Sequence, residues 1–128
     1  GLSAPALDTE HLPAYFPEHY QRPQSIKQLI GEYKGDETDY LMRMIHQIEK
    51  QPLLLHLIEF TRELYRDTVN DDQLIEAIGE KGLTKYAGRL MQVLHEQTLL
   101  DEGYMPVDPI DDRGTKHIRE NITNHLKI

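Results

Sequence analysis

"LTKYAGRLMQVLHEQTLL", residues 83–100, is the stretch on which the fold turns. Leu83, Tyr86, Ala87, Leu90, Met91 and Leu94 recur at spacings of three and four, which places them on one stripe of an α-helix and not on one face of a strand. Lys85 and Arg89 take the opposite, exposed side. Immediately upstream, "NDDQLIEAIGEKG" (70–82) offers Asn70 or Asp71 as a cap, a short apolar face of Leu74, Ile75 and Ile78, and a glycine exit at Gly79 and Gly82. Downstream, residues 101–114 hold two prolines, two glycines and five acids and read as a loop or short hairpin. Ile118, Ile122 and Leu126 then recur every four residues and predict a short last helix.

Toward the N-terminus, "DETDYLMRMIHQIEKQ" (36–51) opens with acids where a helix dipole favours negative charge and sets Leu41, Met44, Ile45 and Ile48 in one sector. Pro52 suits the first position of a third helix, with Leu53, Leu54, Leu57, Ile58, Thr61, Leu64 and Tyr65 facing the core. "SIKQLIGEYKG" (25–35) pairs Ser25 with Gln28 as a capping box, places Ile26, Leu29, Ile30 and Tyr33 on one face, and stops at Gly35, with Gly31 as a weak point. Residues 1–24 carry four prolines and no sustained period, yet Leu12, Tyr15, Phe16 and Tyr20 make this arm more apolar than a solvated linker needs. The expected architecture is all-α, a compact bundle of five or six helices. It comprises a proline-rich, partly ordered N-terminal arm (1–24) and a single helical domain (25–128).

Composition narrows the function classes. The 128 residues have a net charge of -8, with 15 acidic and 8 basic side chains in residues 1–82 and 7 and 6 in residues 83–128. Such a balance repels a polyanionic backbone, least so in the second part. The chain has no cysteine, which removes disulfides, thiolate nucleophiles and cysteine zinc sites and fits a reducing compartment, so a cytoplasmic location is expected. The longest aliphatic run, Leu53 to Leu55, is far short of the roughly 20 residues a membrane span requires. Ser3 and Ser25 lie outside any Gly-x-Ser-x-Gly setting, and no glycine-rich phosphate cradle occurs. From Asp108, Ile110 and Arg113 stand where a calcium loop requires a ligand and a glycine.

Two histidines stand ten apart in "MRMIHQIEKQPLLLHLIEF" (42–60). Both His46 and His56 project away from the apolar sectors of their helices, toward solvent or a partner. His56 is followed by Glu59, Glu63 and Asp67 on one stripe, a spacing that can hold a divalent metal, although an acidic solvated face has the same pattern. The Glu-x-x-His order of di-iron bundles is reversed and unrepeated. No catalytic residue and no cofactor is expected.

Residues 71–116 also have the order of a winged helix-turn-helix. "LLDEGYMPVDPIDDRGTKH" (99–117) resembles the end of a recognition helix and the wing of MarR-type regulators, which implies DNA contact by Lys85, Arg89, Arg113 and Lys116. The acids Asp101, Glu102, Asp108, Asp111 and Asp112 depart from that pattern, as does the five-residue step from Ala77 to Gly82. Leu55 and Phe60 project opposite the core stripe of the third helix. With Tyr15, Phe16 and Tyr20 they form an apolar surplus that a protein partner or a second copy of the chain would cover. The leading expectation is therefore an acidic helical adaptor or regulator acting through protein contacts, with homodimerisation as one form of it.

Overall fold

The structure, a computed structural model, describes residues 24–31 and 35–122 and is all-α, with no strand among the described residues. Its helices are α1 (Ile26–Ile30), α2 (Glu37–Lys50), α3 (Leu54–Tyr65), α4 (Asp71–Glu80), α5 (Thr84–Thr98) and α6 (Arg113–Glu120), with a 3-10 turn at Glu102–Tyr104. Tyr15, Phe16 and Tyr20, expected as an interaction surface, lie outside the described residues.

Local chemistry sets most boundaries. Ser25 and Gln28 form the reciprocal capping box of α1, while Asp36 and Asn70 accept the N3 amides of α2 and α4. At the end of α4, Gly82 takes φ 68 and lets the Leu83 amide reach back to the Ile78 carbonyl. Two boundaries differ from expectation. α1 stops at Gly31, at φ 81, before it can reach Gly35, because glycine enters that backbone region without steric penalty. Pro52 does not begin α3: the Leu53 amide closes a tight turn onto the Gln51 carbonyl, and the helix starts at Leu54.

α2 and α5 are the two hubs. α3 and α4 each pack against both of them, α1 packs on α2, and α6 packs on α5. The predicted stripes of α2 (Leu41, Met44, Ile45, Ile48) and α5 (Leu83, Ala87, Leu90, Met91, Leu94) are buried in one cluster running from Ile26 to Ile118. α5 also buries Gly88 and Val93 on a second side, because the chain after it folds back across the helix. There the Ile110 amide donates to the Gly88 carbonyl at 2.9 Å.

The third helix sits rotated from its expected orientation. Leu53, His56, Leu57, Phe60, Thr61 and Leu64 are buried, Leu54, Leu55 and Ile58 are half-buried, and Tyr65 is exposed. Phe60, expected on the outer surface as part of an interaction face with Leu55, is fully inside the core. Enclosing Phe60 removes on the order of 150–250 Å² from water, and leaving Tyr65 outside keeps its hydroxyl free to bond the Leu99 carbonyl and the Asp101 amide. Thr61 joins it at little cost: the Thr98 hydroxyl donates to the Leu94 carbonyl, so the Thr61 hydroxyl donates to Thr98 at 2.6 Å and ties α3 to the end of α5.

α6 is short and buries only Thr115 and Ile118, so burial alone would hold it weakly. Two charged forks pin it to α5. Arg89 grips Asp112, the N-cap of α6, at 2.8 and 2.9 Å, and Arg119 grips Glu96 at 2.7 and 2.8 Å. The Arg89 bonds hold the Asp112 carboxyl down at about 2.

The close approach at Gly88 is directly testable. A Cβ there would lie 2.6 Å from Ile110 Cδ1 and 2.9 Å from the Asp108 carbonyl oxygen. Gly88→Ala is expected to destabilise the fold by about 1–3 kcal/mol in chemical denaturation, despite alanine's better helix propensity. Adding Ile110→Ala should cost less than the sum of the two single changes, and strict additivity would show that the two residues do not meet.

Candidate functional site

His56, Glu59, Glu63 and Asp67 do not converge. His56, expected to face solvent, is 0% exposed. Its Nε2 lies 2.8 Å from the Gln24 carbonyl oxygen, and since a carbonyl only accepts, Nε2 carries the ring proton. Nδ1 is buried without a partner. Glu59, one turn on, accepts the Ile26 amide at 2.8 Å. The two side chains thus clasp the backbone on either side of Ser25, where α1 begins. Ile26 enters the core beneath them.

Glu63 has a different role, and Asp67 lies beyond the helix, exposed, at φ 54. Among the described residues no three of His, Asp and Glu stand close enough to hold a metal ion. His46 is on α2, exposed, with Nδ1 3.4 Å from Glu49, so Pro52 does separate the two histidines onto different helices.

Beside the clasp lies a cavity of about 480 Å³ lined by Lys27 of α1, Glu37, Tyr40 and Met44 of α2, Glu59, Arg62 and Glu63 of α3, and Arg66 at its C-cap. Glu63 accepts from Arg66 Nη1 at 3.1 Å. Burial first, and then the neighbouring Glu37 carboxyl, push the Glu63 carboxyl up to about 7, against the opposing Arg66 guanidinium. The same environment raises the Tyr40 hydroxyl, through burial first and then Glu63, Glu59 and Glu37.

Residues 71–116 contain the two helices of the helix-turn-helix order, but the stretch expected as a wing is a 3-10 turn followed by an irregular segment against α5. Arg89 is committed to Asp112, whereas Lys85, Arg113 and Lys116 are exposed.

The most exposed large apolar side chain among the described residues is Leu99, at 79%. It ends α5 at φ 61, a left-handed backbone that is rare for a bulky non-glycine residue. Tyr65 and Tyr104 are each 41% exposed. The Tyr65 hydroxyl donates to the Leu99 carbonyl at 3.2 Å and accepts the Asp101 amide at 2.9 Å, and the two tyrosine rings meet edge to face at 4.8 Å. Exposed Asp67, Asp101 and Glu102 are chain neighbours of this cluster. The surplus of apolar residues in "TLLDEGY" was visible in the sequence; the left-handed turn that pushes one leucine out and buries Leu100 was not.

No known protein family matches the chain, and it has no significant match among the curated proteins or the solved structures.

If Glu59 is the acceptor that holds the start of α1, Glu59→Ala should cost about 1–3 kcal/mol, the usual penalty for stranding a buried amide. Amide exchange across residues 26–30 should accelerate while that of α5 stays slow. Unchanged exchange in α1 would show that the helix is held by other contacts.

Proposed function

We propose that this protein acts by binding another protein through the Tyr65, Leu99 and Tyr104 cluster. The observation that carries the reading is Leu99. A left-handed leucine costs of the order of 1 kcal/mol in backbone energy, and its side chain recovers little of it inside the chain, being largely solvated. Glycine or asparagine would end the helix with less strain. Backbone strain of this kind collects at binding positions, and an exposed leucine beside Tyr65, whose hydroxyl is hydrogen-bonded on both sides and whose ring meets that of Tyr104, has the make-up of an interface anchor.

Charge chooses between the two kinds of partner. Two copies meeting through this end would oppose Asp67, Asp101 and Glu102 to themselves, on chains that each carry a net charge of -8. A different protein with an apolar socket and a basic rim fits better. The compartment we infer is the cytoplasm, on the cysteine-free sequence; no helix among the described residues is long and apolar enough to cross a membrane. The role is that of an adaptor or regulator, without chemistry of its own.

Leu99→Gly separates binding from folding. Stability should stay level or rise by up to about 1 kcal/mol, since glycine relieves the strained backbone. A photo-cross-linking residue at position 104 should, in the source cells, join the chain to a partner whose adduct falls at least tenfold with Leu99→Gly and with Asp101→Lys plus Glu102→Lys. The free chain should scatter as a 14.9 kDa monomer. An adduct indifferent to these changes, or a dimer broken by Leu99→Gly, would contradict the reading.

A further inference from the structure

α1 buries a single residue, Ile26, and uses the two aliphatic residues of its last turn unequally. Ile30 rests partly on the core, whereas Leu29 takes no part in it and is 43% exposed. Both open onto a groove of about 470 Å³ between α1 and α2, whose other wall carries Arg43, His46 and Lys50. Steps of three and four set these three on one side of α2, as an exposed row beside the two aliphatic residues. Glu49 also lines the groove, but it stands 3.4 Å from His46 Nδ1, so its charge is directed at the histidine. Lys50 makes no ion pair among the described residues. With Arg43 and Lys50 against Glu49, the lining is net positive on a chain whose total is -8.

We propose that this groove docks an acidic amphipathic helix of another protein, which seats an aliphatic side chain on Leu29 and Ile30 and sets carboxylates against Lys50 and the row it ends. Two packed helices present ridges at the spacing a third helix needs, and an aliphatic floor beside a cationic wall selects an apolar anchor flanked by acids. The volume suits a short segment and not a whole domain face. A phosphate backbone gains nothing from an aliphatic floor and meets Glu49 on the wall, while a basic segment is repelled by Lys50.

The groove is a different surface from the one at Leu99. α1 is clasped by His56 and Glu59 in the first half of α3, whereas Tyr65, which bonds the Leu99 carbonyl, ends that helix. Asp67, Asp101 and Glu102 make the Leu99 end acidic, so a partner complementary to one surface is repelled by the other. Two unlike partners can therefore be held at once, as an adaptor requires. The groove stands on its own lining and does not depend on what Leu99 binds.

NMR titration of the full chain with a blocked peptide of three Glu-Leu-Leu-Glu repeats tests this. Amides 29, 30, 46, 47 and 50 should shift and saturate below about 1 mM peptide, amides 65 and 99–104 should stay in place, and added salt should weaken the binding. The same peptide with Lys for Glu should not bind. Leu29→Ser and Lys50→Glu change exposed positions and should leave the circular dichroism intact, yet each should weaken binding at least fivefold. Shifts that do not saturate, that fall at 65 and 99–104, or that ignore both substitutions would overturn the proposal. So would tighter binding of the lysine peptide or of a DNA oligonucleotide at these amides, and light scattering that shows copies of the chain joining through Leu29 would give the groove to a second copy.

Discussion

A helix packed between two hubs must bury side chains over more of its circumference than one apolar stripe covers, and α3 meets that demand with polar residues whose partners are supplied by the rest of the chain. Lodged against α2 and α5, it encloses His56 and Thr61 along with Phe60. An imidazole taken out of water without a partner would cost several kcal/mol. Donation from Nε2 to the Gln24 carbonyl offsets part of that cost, Nδ1 staying unpaired, and fixes where the chain must arrive before α1 begins. Glu59 then holds the next free amide and Ile26 drops into the core, so the placement of α1 follows from the burial of α3.

The opposite side of the molecule uses charge for a comparable purpose. α6 has little to bury, and the Arg89–Asp112 and Arg119–Glu96 forks align it on α5. Gly114 makes room for one of them, since a Cβ there would run into the Arg89 guanidinium and its stem. Arg89 is thereby paired with Asp112, while at the other end of α5 the chain leaves through a left-handed leucine beside Tyr65.

How much of this was legible depends on which rule was in play. The stripes of α2 and α5 and the caps at Ser25 and Asn70 rest on local spacing and local hydrogen bonding, which the sequence states directly. The orientation of α3 is not local. Its apolar residues fit two overlapping stripes, and the choice between them depends on a carbonyl 32 residues away accepting from His56. The metal-like pattern of His56, Glu59 and Glu63 was real as a spacing, but each member is used by a different backbone or side-chain partner. Glu37 and Glu63 sit 26 positions apart with nothing to link them until α2 and α3 pack. The backbone conformation of Leu99, likewise, has no signature in its residue type.

His56 and Glu59 fasten the start of α1 from inside, and the ring nitrogens of His56 report on that fastening most directly. Long-range proton–nitrogen NMR correlation at pH 7.5 should show His56 protonated at Nε2 and bare at Nδ1, with neither signal moving when zinc is added in slight excess. A ring protonated at Nδ1, or one whose nitrogen shifts respond stoichiometrically to the metal, would mean that His56 faces a ligand and not the Gln24 carbonyl, and the placement of α1 would lose its basis.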